Sequence, residues 1–201
     1  MSNDKYLTIA QPSEGIYKEK GSRFLAFAYP VFNLDEIKEI ISQAEKKYHD
    51  ARHCCYAWKL GLADDNFRFN DDGEPSGTAG RPIYGQILSN NLTNILVVVV
   101  RYFGGIKLGT SGLIVAYKTA TADAIANANI VEQYVQNTFD VHFPYAAMND
   151  VMKVVKDASL EVLNQQFDLS CSCRLRMRQA IAADFQMRMA DIDGVEVQFV
   201  G

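Results

Sequence analysis

The sequence predicts an α+β protein of two small domains. Three observations carry this. Strands and amphipathic helices alternate over roughly the first 130 residues; residues 95–100 form an unbroken aliphatic run ending in a glycine-rich turn; and the rest of the chain follows the order βαββαβ. The 201 residues are enough for one large or two small compact cores.

Taken in order, GIYKEKGSRFLAFAYPV reads as a strand pair over 15–20 and 22–31, turning through Gly21. Asn33 opens a helix in which Leu34, Ile37, Ile40, Ile41, Ala44 and Tyr48 recur at helical spacing, with Asp35, Glu36, Glu39, Lys46 and Lys47 on the other face. Residues 53–62 and 67–70 read as a second antiparallel pair split by the turn-rich LADDN. DDGEPSGTAGRP, residues 71–82, is too rich in glycine, proline and acid to be regular, and a short helix is expected near 83–88. Residues 95–103 are apolar on both faces, as in a central strand covered on two sides. A helix over 110–129 follows, capped by Thr110 or Ser111. In the tail, 135–143 is a strand, 146–158 a helix, 161–169 and 170–179 a hairpin, 180–192 a helix and 195–200 a strand, which is the ferredoxin-like order. The boundary falls near 131–134, dividing the chain into 1–133 and 134–201.

A net charge of −4 excludes the blanket basic surface of a nonspecific nucleic-acid coater but allows a local basic cleft. MSNDKYLTIAQPSEG lacks the basic-then-apolar order of a secretory signal. The longest aliphatic run is far short of the roughly 20 residues that span a bilayer as a helix. A cytoplasmic protein without membrane contact is expected. Cys54 with Cys55 and Cys171 with Cys173 lack C-x-x-C spacing, and His49 and His53 do not complete a four-ligand set, so buried thiols and no metal are expected.

In RLRMR, alternation sends Cys173, Leu175 and Met177 to the helix-covered face and Arg174, Arg176 and Arg178 to the open one. Sheet-surface RNA readers add stacking aromatics there, and none is present. Thr138, Asp140 and His142 on one neighbouring strand, and Asn164, Gln166 and Asp168 on the other, offer cross-strand partners, with Asp140 and Asp168 neutralising the row. In the acidic loop, Asp71, Asp72 and Glu74 could gather magnesium, yet Asp72-Gly73 is also a natural turn. The length of the loop favours a binding or lid element, with Asp71, Asp72, Glu74, Ser76 and Thr78 facing a partner.

The strongest signal is the turn after the buried strand. Gly104 and Gly105 let the backbone turn, and Gly109, Thr110, Ser111 and Gly112 open a helix whose free N–H groups suit an anion. Arg101 and Lys107 supply cations, with Arg81 and His53 extending the surface. Gly104 to Gly109 has Walker spacing, but Thr110 stands where that motif needs lysine. The alternative is purely structural: the glycines permit tight strand-to-helix packing.

DDGEPSGTAGRPI followed by VVVVRYFGGIKLGTSGL resembles the hallmark of the IMPACT/YigZ family, two long motifs in the right order. The resemblance implies an N-terminal ribosomal protein S5 domain 2-like fold, similar to domain IV of elongation factor G, and a ferredoxin-like tail similar to that factor's domain V. Eukaryotic members are translational regulators working through protein contacts, with an additional RWD domain that these residues do not resemble. The resemblance brings no catalytic residues. It points to an RNA- or ribosome-binding modulator of translation without a cofactor, with protein partners of the translation machinery as further contacts. LGTSGLIVA is also similar to the phosphate loop of GHMP kinases, so a small-molecule phosphotransferase is the rival, and a purely protein-binding regulator a third reading.

Overall fold

The computed structural model describes residues 4–168 and 170–201. The chain divides into two compact units, Tyr6–Gln133 and Tyr134–Gly201, the latter joined by Asp4 and Lys5.

In the first unit the strands β1 (Lys5–Ile9), β2 (Ser13–Glu19), β3 (Ser22–Pro30), β4 (His53–Lys59), β5 (Phe67–Asn70), β6 (Ile95–Tyr102) and β7 (Ile130–Tyr134) are accompanied by α1 (Leu34–Lys47), α2 (Gly80–Ser89) and α3 (Gly109–Ala126). Five strands form one sheet in the order β2-β3-β6-β4-β5, each neighbour antiparallel. β6 is therefore the middle strand. Its run Ile95, Leu96, Val97, Val98, Val99 and Val100 is wholly buried, because helices cover both sheet faces. Ile95, Val97 and Val99 pack under α2 and α3 with Ile83, Ala116 and Ala120. Leu96, Val98 and Val100 pack under α1 with Ile37 and Ala44. Burying each such aliphatic side chain contributes roughly 1.5–3 kcal/mol. Cys54 and Cys55 fall on opposite faces for the same reason, and all four cysteines are free and buried.

Local signals set the ends of these elements. Asn33 caps α1 by accepting from the Asp35 and Glu36 amides, while the Glu36 carboxylate reaches back to the Phe32 amide at 2.8 Å. Lys20 and Gly21 have positive φ of 46° and 79°, the paired left-handed residues of a tight hairpin turn between β2 and β3. β1 and β7 form a separate two-stranded sheet that periodicity did not reveal. No described helix is long and apolar enough to cross a membrane.

The tail runs β8 (Gln136–Pro144), a 3-10 turn, α4 (Met148–Asp157), β9 (Glu161–Phe167), β10 (Ser170–Arg178), α5 (Gln179–Ala190) and β11 (Glu196–Phe199). Its sheet order β11-β8-β10-β9, antiparallel throughout, is ferredoxin-like. The fold is thus α+β. Residue 169, the expected end of β9, lies outside the described residues.

Cys173, Leu175 and Met177 are buried under α4 and α5 with Val151, Phe185 and Met189. The arginine row on the other face is paired. Arg174 grips Asp140 through Nε and Nη2, each at 2.7 Å. A register shift between Arg174 and Leu175 sets Arg176 opposite Glu161, 3.7 Å away. Asp168, the expected second partner, instead accepts from the Gln166 side chain. Arg178 pairs with Asp4 at 2.9 Å and lies over the Tyr134 ring.

Asp4 is almost wholly buried, accepts from the Ala180 amide at 3.1 Å, and is held below its usual pKa of 3.8 chiefly by the Arg178 hydrogen bond. A carboxyl with a lowered folded pKa stabilises above its unfolded value and loses that contribution as pH falls through the folded one. Asp4→Asn should therefore speed hydrogen exchange at Ala180 and along β10 at pH 7. The difference from the parent should shrink as pH drops below about 3.8. Equal exchange rates at pH 7 would remove Asp4 from the account of tail stability.

Candidate functional site

Arg101 continues the alternation of Val97 and Val99, so its side chain leaves β6 on the face covered by α2 and α3. Its cross-strand neighbours are Phe24 on β3 and His53 on β4. The guanidinium lies between two rings, 5.4 Å from the Phe24 centroid and 5.6 Å from that of Phe103. The 71–79 loop then places Glu74 against it, with Oε1 accepting from Arg101 Nη1 at 2.6 Å and from Tyr117 Oη at 2.8 Å. His53 Nε2 is 3.8 Å from the same oxygen. The Glu74 side chain is only 3% exposed and that of Arg101 7%, so this is a buried ion pair. Beneath it, Cys55 Sγ is 3.3 Å from Tyr117 Oη. Burial pushes the Cys55 thiol and the Tyr117 phenol well above their ordinary pKa ranges.

The acids of the loop face three different ways. Asp71 accepts from the Gly77, Ala79 and Gly80 amides at 2.8, 3.0 and 2.8 Å, which closes the loop on the start of α2. Asp72 accepts from the Cys54 amide at 2.6 Å. Its carbonyl lies 2.7 Å from His53 Nδ1, which must donate, so Nε2 carries a proton only as imidazolium. Glu74 turns inward. Among the described residues no group of three or more His, Cys, Asp or Glu side chains converges for a metal, so the magnesium reading of this trio loses its geometry. Thr78 is buried, its hydroxyl donating to the Pro75 carbonyl, while Ser76 is exposed. The loop is thus built inward by Asp71, Glu74 and Thr78, while Asp72 and Ser76 stay exposed.

These parts line an open cavity of about 630 Å³. Its polar lining is Arg52, His53, Glu74, Arg101, Lys107 and Thr110, and its apolar lining includes Pro75, Phe103, Leu108 and Leu113. The start of α3 opens onto it. Leu108 is the N-cap residue and no side chain caps the helix, so the expected capping by Thr110 or Ser111 is not found: both fall inside the first turn. Gly109 enters the helix with φ of 72°, a value that a residue with Cβ seldom adopts. Among the described residues the first-turn amides have no side-chain acceptor, and the positive end of the macrodipole faces the cleft.

The structure thus brings together His53, Glu74, Arg101, Lys107, Gly109 and Thr110. It leaves others out. Arg81 is exposed on α2 and does not line the cavity. Ser111 and Gly112 line a shallower depression with Tyr17 and Lys20. Gly104 packs its backbone on Gly21, where an added Cβ would come within 1.9 Å of the Gly21 carbonyl carbon, so its role is tight packing. Gly105 has a positive φ of 86° and open space around it, so it turns the chain. Arg101 is a wall of the cavity rather than a free cation, and its buried Nε has no acceptor among the described residues. An unsatisfied buried donor costs roughly 1–3 kcal/mol. Sequence reasoning missed Arg52 and Phe103, each adjacent to a residue it chose, and Tyr117, two helical turns beyond Gly109.

Removing one member of a buried ion pair strands the other. Arg101→Met should lower the stability of the first unit by about 3–5 kcal/mol, measured by urea unfolding with Trp58, the sole tryptophan, as reporter. A loss under about 1 kcal/mol would show that the pair does not hold the loop.

Residues 20–125 match the Impact N-terminal domain family. IMPACT family member YigZ of Escherichia coli is 28% identical over 199 residues, 98% of each chain. IMPACT family member YvyE of Bacillus subtilis is 32% identical over 153 residues, 76% of this chain and 70% of that one. A crystal structure described as that of a hypothetical protein superimposes with a TM-score of 0.75 at 27% identity, covering 98% of both chains. With both hallmark motifs around the cleft and the family match spanning more than half its length, this chain belongs to the IMPACT family.

Proposed function

We propose that this chain binds RNA, free or within the ribosome, through the cleft at the start of α3, and that it modulates translation in the cytoplasm. The observation that carries the reading is the uncapped α3 start beside exposed Lys107 and Arg52. In a molecule of net charge −4 this is a local cationic site, the arrangement that favours phosphate. The resemblance to eukaryotic IMPACT proteins, which are translational regulators, supports the placing in translation, as does the S5 domain 2-like fold that the family implies. Burial keeps the Cys55 thiol and Tyr117 phenol neutral, which suits a binding site better than nucleophilic chemistry. Protein partners of the translation machinery fit the same reading.

Lys107→Ala should weaken binding across RNA sequences by a similar factor. It should also flatten the slope of log affinity against log salt by about 0.7–0.9, the value of one lost phosphate contact. Titration at several salt concentrations measures this, with circular dichroism to confirm folding. A folded variant that keeps both affinity and slope would remove the loop from the interface. Replacing Arg174, Arg176 and Arg178 together with glutamine should leave RNA affinity nearly unchanged, because their charges are matched by Asp140, Glu161 and Asp4. A large loss with the fold intact would move the RNA surface to the tail.

A further inference from the structure

The cleft is larger than a phosphate contact requires, and we infer that it seats one whole nucleotide: phosphate on the α3 amides beside Lys107, base on the apolar lining around Phe103. This deepens the RNA-binding reading and rests on its placement of phosphate.

Three observations bear on the ligand. The cavity, about 630 Å³, lies within the range of roughly 300–1,000 Å³ typical of small-molecule sites, whereas a backbone contact needs only a surface. Its lining combines three cations and a single carboxylate with apolar side chains, which matches a ligand anionic at one end and flat and apolar at the other. Finally, Phe103 is 50% exposed although its ring lies 5.6 Å from the Arg101 guanidinium. An accessible ring beside a guanidinium is a surface on which a base stacks.

A free mononucleotide and a terminal or unstacked nucleotide of RNA share this chemistry, and the test separates them. The full chain is titrated calorimetrically with adenosine monophosphate, ribose 5-phosphate and inorganic phosphate. Adenosine monophosphate is then used to compete against a fluorescent single-stranded RNA. Adenosine monophosphate should bind saturably and at least about tenfold more tightly than ribose 5-phosphate, the worth of one base stack. Phe103→Ala should remove that advantage; the position is half exposed, and Trp58 fluorescence checks the fold. Displacement of RNA by the mononucleotide supports the pocket and assigns it to a nucleotide of the polymer. Saturable, Phe103-dependent mononucleotide binding without displacement supports the pocket, assigns it to a free nucleotide, and counts against the RNA reading. Adenosine monophosphate binding no tighter than ribose 5-phosphate overturns the inference. If RNA then still binds with a slope that depends on Lys107, the phosphate reading stands without it.

Discussion

The buried pair between Glu74 and Arg101 is the constraint on which the cleft depends. A carboxylate and a guanidinium taken out of water are tolerated only when each meets a partner with good geometry. Here the 2.6 Å contact and the Tyr117 hydroxyl supply it. The consequence is conformational. A glycine- and proline-rich segment has many states in solution, and drawing Glu74 inward selects the one in which Asp71 closes on the α2 amides and Pro75 lines the cavity. The cleft has a wall there because the acid points in.

The same pair changes what each cation can do. Arg101 sits at the end of the most deeply buried strand, where a free guanidinium would be poorly solvated, so Glu74 neutralises it and the two rings flank it. The positive field at the cleft mouth then comes from Lys107, Arg52 and the α3 dipole.

Much of the fold was legible because periodicity reports burial directly. The six aliphatic residues at 95–100 could only be a strand covered on both faces, and the alternation in RLRMR sorted Leu175 from Arg174 correctly. What escaped were pairings that no local pattern encodes. Asp4 meets Arg178 across 174 positions, and Glu74 meets Arg101 across 27. An acid in a glycine-rich loop looks solvated until the partner is known. The β9 irregularity redirected Arg176 from the expected partners to Glu161, because one extra residue shifts which side chain comes opposite. At the candidate site, Lys107, Gly109 and Thr110 were legible at a helix start, while the packing of Gly104 on Gly21 was not, since close backbone approach by another turn has the same glycine signature as approach by a ligand.

Counting the exposed cations limits the kind of nucleic-acid contact this cleft can make. Proteins that track a phosphate backbone neutralise six to ten phosphates and lose several orders of magnitude in affinity with a modest rise in salt. With Arg101 neutralised by Glu74, the cleft offers Lys107 and Arg52, so its own salt dependence corresponds to about one or two phosphates. Under the proposed RNA reading, affinity would then have to come from something that salt does not screen. The apolar lining and the exposed face of Phe103 are the available source, since stacking and apolar burial are nearly independent of ionic strength. Under the proposed reading, the sparse charge and the apolar lining would suit one phosphorylated group held at a defined place better than a tract of backbone.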